Sequence, residues 1–190
     1  MKINAILMAS GLSKRMGENK LMLEFRGKKI YEYALDLLEE IGFDKVVVAS
    51  SYEKILKDAE ARGFLALENK DNEVGKSSSI KLGVRACDED AAMMFFVADQ
   101  PLLTKETCKN LIASFKENPL MTYPRVGMRR GAPVIFPASY REKLLSLEAD
   151  QGGMIFAKDD KTNKVEIGNE EELLDIDTLE AYERLKKDHE

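Results

Sequence analysis

Two runs of the chain, residues 45–50 (KVVVAS) and 91–98 (AAMMFFVA), are apolar at nearly every position. A strand with one wet face alternates apolar and polar residues, so runs without alternation belong in a sheet covered on both sides. A third such run, residues 2–7 (KINAIL), stands near the start. Between them Ile30, Ala34, Leu37, Leu38 and Ile41 recur at helical spacing, and Gly42 supplies a stop. Further helices are predicted over 52–62 and 77–87, with a short strand at 64–67 between them. Thr104 is placed to cap a helix that carries Cys108, Leu111, Ile112 and Phe115 on one stripe. Beyond it LMTYP and APVIF read as strands, SYREKLLSL as a helix, 164–167 as a strand, and the residues from Thr178 as a terminal helix. This alternation predicts an α/β domain over residues 1–190, a three-layer α/β/α Rossmann-like sandwich with a mostly parallel sheet. The last third breaks strict alternation, which predicts an insertion or an extension of the sheet.

At 190 residues such a domain buries enough surface to need no staples. No apolar run reaches the roughly 20 residues that span a bilayer, and nothing after Met1 has the layout of a signal peptide. The two cysteines, Cys87 and Cys108, lack metal-ligand spacing and fit a reducing cytoplasm. A net charge of −5 and a pI near 5.2 argue against a general nucleic-acid binder. Local cationic clusters are the more informative for that background.

One such cluster lies in ILMASGLSKRMGENKLML, residues 6–23, where Lys14, Arg15 and Lys20 follow the first strand. In open α/β sheets ligands sit beyond the carboxyl ends of the strands, and this rule puts the cationic loop and Asp99 on one rim. A glycine-containing turn between strand and helix offers backbone N–H groups to an anion. Walker A spacing is not met, because five residues separate Gly11 from Gly17 and Glu-Asn follows; nor is G-x-G-x-x-G present. A solvated turn with clustered cations is the plainer alternative.

The order GLSKRMGENK resembles the signature G-x-S-x-R-M-G-x-x-K of nucleotidyltransferases with the MobA-like fold, with Gly11, Ser13, Arg15, Met16, Gly17 and Lys20 in register. VADQPLL (97–103) looks like that family's metal-aspartate segment, and GKSSSIKLG (75–83) is similar to its base-and-ribose segment. Residues 131–153 resemble the acceptor side of the subgroup that attaches CMP to molybdopterin, and LLDIDTLEAY its closing D-I-D-T motif. In two places the chain departs from the pattern: Ser10 stands where Ala or Gly is usual, and Ala149 where Gly is common.

The resemblance implies attack by an acceptor phosphate on the α-phosphorus of a nucleoside triphosphate, CTP in this subgroup, with release of pyrophosphate. Such a step needs positioning and charge neutralisation more than covalent help. A phosphate monoester is already largely anionic near neutrality, so no strong base is required. His189, the one histidine, sits too near the chain end to be expected in ordered structure. Catalytic roles fall to Lys20, Arg15 and Asp99. The nucleotide would lie along Ala9, Ser10, Gly11, Ser13, Arg15 and Lys20, with Gly75, Ser78 and Ser79 at base and ribose; Lys14 reads as solvated. Asp99 and Asp177 would hold Mg2+, which binds through one or two carboxylates plus substrate phosphates. The resemblance selects Asp177; the residues alone do not choose between it and Asp175. Arg125, Arg129 and Arg130, within six residues, form a candidate anion site for the acceptor's phosphate, and Asp150, Gly152 and Gly153 would shape the pterin side. Met93, Met94, Phe95 and Phe96 read as core. A molybdenum hydroxylase would receive the product. Rival readings are a guanylyl or sugar- or alcohol-phosphate transferase on the same fold, and a non-catalytic carrier of the molybdenum cofactor.

Overall fold

The computed structural model describes residues 1–11, 19–157 and 161–189. In chain order β1 is Ile3–Ala9, β2 Glu24–Phe25, β3 Lys28–Lys29, α1 Ile30–Ile41, β4 Lys45–Ser50, α2 Glu53–Ala61, β5 Leu65–Glu68 and α3 Lys76–Ala86. Then come β6 Ala92–Val97, α4 Lys105–Glu117, β7 Met121–Val126, β8 Arg129–Arg130, β9 Val134–Phe136, α5 Arg141–Leu145, β10 Thr162–Glu166 and α6 Leu179–His189. The main sheet runs β10-β7-β9-β6-β1-β4-β5, with β8 paired on β7. β1 pairs in parallel with β4 and β6, β4 with β5 and β7 with β10; β9 is antiparallel to β6 and β7. The sheet is therefore mostly parallel, as the unalternated strands require.

Its two faces are read directly from the two-residue period of a strand. Ile3, Ala5, Leu7 and Ala9 of β1 meet Val46, Val48, Met94 and Phe96 in one core, covered by α1, α2, α4 and α6. Ile6, Val47, Met93 and Phe95 face the other way, under Ile80 and Val84 of α3 and Leu144 of α5. Each fully buried Leu, Ile or Phe contributes roughly 1.5–3 kcal/mol, so the two layers together outweigh any surface pair in the molecule. The three-layer expectation holds. Ends are set locally: Gly42 takes a left-handed φ of 74° and its N–H donates to Leu38 O at 3.2 Å. Thr104 Oγ1 accepts from the Thr107 N–H at 3.2 Å.

The break in alternation proves to be a sheet extension, with β10 added outside β7. The arginine-bearing segment is an antiparallel hairpin in which Arg125 and Arg130 are paired. His189 departs from expectation. It belongs to α6, its ring stands edge-on to Phe25 at 6.4 Å between centroids, and its carbonyl accepts from Arg26 Nε at 2.6 Å. The apolar stripe of α6, with Tyr182 and Leu185 buried, docks that helix against the core. Among the described residues no helix is long and apolar enough to cross a membrane.

Candidate active site

β1 and β6 are neighbours, so their carboxyl ends bring Ser10–Gly11 and Asp99–Gln100 to one rim. Lys20 reaches the same rim from a 3-10 turn, Lys20–Met22, which is held by a cap and by packing: Asn19 Oδ1 accepts from the Leu21 N–H at 3.1 Å, and Leu21 itself is buried. The segment before α6 is tied to Asp99, whose carbonyl accepts from the Ile176 N–H at 3.1 Å. With Ile176 buried, the two aspartates beside it are set at the cleft, and both Asp175 and Asp177 line it.

The result is a convergence of charge. Lys20 Nζ lies 2.5 Å from Asp99 Oδ2 and 2.8 Å from Asp177 Oδ1. The side chains of Lys20 and Asp99 are 12% and 16% exposed, so this pair is shielded from bulk water and from salt. Burial by itself would lower the Lys20 pKa, but the charges and hydrogen bonds of Asp99 and Asp177 outweigh it and hold the ammonium above its usual value. It is charged at neutral pH. Gln100 Nε2 donates to Asp175 Oδ1 at 2.8 Å, while the buried Gln100 Oε1 has no hydrogen-bond partner among the described residues. Crowding by protein, and then the charge of Asp99, push the Asp175 carboxyl above the ordinary carboxylate range.

That shift has a sign. A carboxyl whose folded pKa exceeds its unfolded value weakens the fold once pH rises above the unfolded value, near 4. Asp175→Asn keeps an oxygen for Gln100 and removes the charge. It should melt slightly higher than wild type at pH 7, on the order of 1 °C because water still reaches one side of the residue and screens its charge, with the gap closing below pH 4. Thermal melts at pH 3.5 and 7 check this.

These groups border a cleft of about 800 Å³. Ser10, Gly11 and Lys20 lie on its wall with Asp99, Asp175 and Asp177; Gly75 and Ser79 form another wall; Arg129, Arg130, Asp150, Gly152 and Gly153 complete it. The nucleotide-side and acceptor-side candidates thus meet around one space. Three candidates are placed elsewhere. Ala9 is buried in the sheet, and its carbonyl accepts from Ser50 Oγ at 2.8 Å. Ser78 Oγ donates to Gly75 O at 2.8 Å, turned back onto the first turn of its own helix. Arg125, carried by β7, pairs across the hairpin with Arg130 but does not line the cleft; it forms an ion pair with Glu166 of β10, Nε to carboxylate oxygen 2.8 Å. Ser13 and Arg15, with Lys14, Met16 and Gly17, lie outside the described residues.

Five contacts escaped the sequence. Asn69 Nδ2 donates to both Ser78 Oγ and Ser79 Oγ, at 3.0 and 2.9 Å, and so steers the serine run. Tyr52 OH donates to Gly11 O at 2.6 Å, anchoring the start of the cationic loop. Ser10 Oγ donates to Ala49 O at 3.1 Å, so this departure from the usual Ala or Gly is absorbed by the sheet. Arg129 Nη2 donates to Leu173 O at 2.7 Å and links the hairpin to the aspartate segment.

A family profile described as MobA-like NTP transferase domain matches residues 5–165. A protein named probable molybdenum cofactor guanylyltransferase, from Natranaerobius thermophilus, is 28% identical over 118 residues, which are 61% of this chain and 56% of that protein. The chain thus spans little more than half the length of that relative. The purine catabolism protein PucB of Bacillus subtilis is 28% identical over 199 residues, covering 96% of this chain and 95% of PucB. Among solved structures, Rv0371c of Mycobacterium tuberculosis in complex with manganese superposes with a TM-score of 0.79 at 19% identity, over 98% of this chain and 99% of that one, a likeness of fold.

Proposed function

The chain belongs to the MobA-like NTP transferase family, and from that premise we propose that it transfers a nucleoside monophosphate, CMP from CTP, onto the phosphate of molybdopterin. The observation that carries this reading is the meeting of Lys20, Asp99 and Asp177 on the rim where Gly11 begins the cationic loop. An oxygen of the acceptor phosphate forms a bond to the α-phosphorus as the bond from that phosphorus to the bridging oxygen breaks. Pyrophosphate leaves with the electron pair, and no protein nucleophile is needed. Lys20, and Arg15 on the loop, neutralise the charge on the polyphosphate. Arg binds phosphate oxygens bidentately and Lys as a mobile point charge. Arg129 and Arg130 hold the acceptor's phosphate and Ser79 the ribose side, while Asp150, Gly152 and Gly153 border the pterin. Asp150 also faces Gly75 closely, so the nucleotide and acceptor walls touch there.

Oxygens of Asp99 and Asp177 lie within 2.8 Å of one point that a cation already occupies in the form of the Lys20 ammonium. This hard, anionic oxygen pair suits a divalent cation, Mg2+ in our reading, and the manganese carried by the structurally similar Rv0371c supports it. When bound, the cation would neutralise charge on the phosphate oxygens.

The second reading is GTP in place of CTP, favoured by the name of the Natranaerobius relative. We keep cytidine because the segments resembling the cytidylyl subgroup, residues 131–153 and 173–182, include much of the acceptor wall. Pyrophosphate release with each common triphosphate and molybdopterin, with and without Mg2+, decides. CTP-selective, Mg2+-dependent release is expected; release with GTP alone selects the guanylyl reading. Silence with every triphosphate, alongside tight molybdopterin binding, selects a carrier that hands the cofactor to a molybdenum hydroxylase.

A further inference from the structure

The point where Asp99 and Asp177 converge holds a cation that belongs to the chain itself. Lys20 is not a surface lysine that drifts into a carboxylate. Its turn is capped by Asn19 and anchored by buried Leu21, and its side chain is 12% exposed. Two carboxylates converge on this one ammonium, Asp99 at 2.5 Å and Asp177 at 2.8 Å. Among the described residues Asp175 and Gln100 line the same cleft, and the buried Gln100 Oε1 finds no hydrogen-bond partner there. A corner of hard carboxylate oxygens favours a divalent ion over an ammonium, and two cations cannot share it without strong repulsion. Lysine is suited to yield, since its charge rides on four flexible methylenes.

Resting on the reading of the cleft given above, we infer that Lys20 is the resident counter-ion of the divalent-cation position: the incoming cation displaces its ammonium from Asp99 and Asp177, and the displaced ammonium then serves the polyphosphate. In the empty site the two carboxylates hold the lysine away from that task. In the loaded site the same stem swings to the phosphates, so cation and polyphosphate favour one another's binding. This coupling is reciprocal by thermodynamic necessity. Lys20 therefore has two successive partners, and the chain discriminates against triphosphate in the absence of a divalent cation.

The test uses Mn2+ alone, without nucleotide, with free Mn2+ read by its electron paramagnetic resonance signal. Full-length wild type, Lys20→Met, Lys20→Gln and the double variant Lys20→Met/Asp99→Asn are compared after circular dichroism has confirmed their fold. With the competing ammonium gone, both single variants should bind Mn2+ about tenfold tighter than wild type or better, and the double variant should lose that gain. Equal or weaker binding by both single variants overturns the inference, as does a gain that survives Asp99→Asn. The transferase reading fails separately: exchange at Lys20 without pyrophosphate release from any triphosphate would sink that reading and keep this one, and turnover without the exchange would do the reverse.

Discussion

Asp99→Asn leaves a folded protein whose pyrophosphate release with CTP and molybdopterin falls to about a thousandth of wild type or lower. The substitution is nearly isosteric. Backbone contacts around position 99, including the carbonyl that accepts from Ile176, do not depend on the side-chain charge. Lys20 keeps Asp177 at 2.8 Å, so its ammonium is not stranded, and the stability lost is about 1–2 kcal/mol rather than the larger cost of an orphaned buried charge. Turnover has no such fallback. A divalent ion held by one carboxylate in place of two is bound more weakly, and the charge on the departing pyrophosphate goes less neutralised. Steady-state pyrophosphate release measures the first effect and a thermal melt the second. Turnover within tenfold of wild type would remove Asp99 from the site, and with it the convergence on which the proposed chemistry stands.

Periodic features were the legible ones. The strands at 45–50 and 92–97 and the helix from Ile30 are dictated by spacing and composition, because a residue buried on a sheet or helix face must be apolar whatever lies opposite it. The rim was legible through topology: Ser10–Gly11 after β1 and Asp99 after β6 must be neighbours once those strands pair. Contacts that depend on one side chain meeting another across the fold were not legible. Nothing local distinguishes Arg125 from Arg129 and Arg130, yet pairing β10 beside β7 brings Glu166 to Arg125 alone. Asn69 reads as one more polar loop residue until its amide is seen to bridge Ser78 and Ser79. At His189 nearness to the chain end is the weaker influence, because Tyr182 and Leu185 on the apolar stripe of α6 pack that helix against the core.

Gly75→Ala is expected to cost more stability than its size suggests, about 2–4 kcal/mol, with a melting temperature lower by on the order of 10 °C. Gly75 has φ 111° and ψ −165°, a region open in practice only to glycine. A β-carbon there would stand 2.8 Å from both the carbonyl carbon and the oxygen of Ala149. The contact with Asp150 Oδ1 is relieved by turning a side chain, but backbone cannot step aside so cheaply. The two segments are also tied, since the Ser77 N–H donates to Ala149 O at 3.0 Å, and Ala149 is itself held at a left-handed φ of 46°. Relief therefore has to push residues 149–150 away from the start of α3, and these are the two walls that enclose the cleft. Triphosphate and acceptor KM should rise together in the same variant, because both surfaces shift. Gly152→Ala is the control. It lies on the same wall with an ordinary φ of −107° and no atom within 4 Å of an added β-carbon, so it should change stability by less than about 0.5 kcal/mol. Equal melting of the two variants would mean that the walls at Gly75 and Ala149 do not touch in solution, and the cleft would be wider than the one that Ser79, Arg129 and Arg130 line.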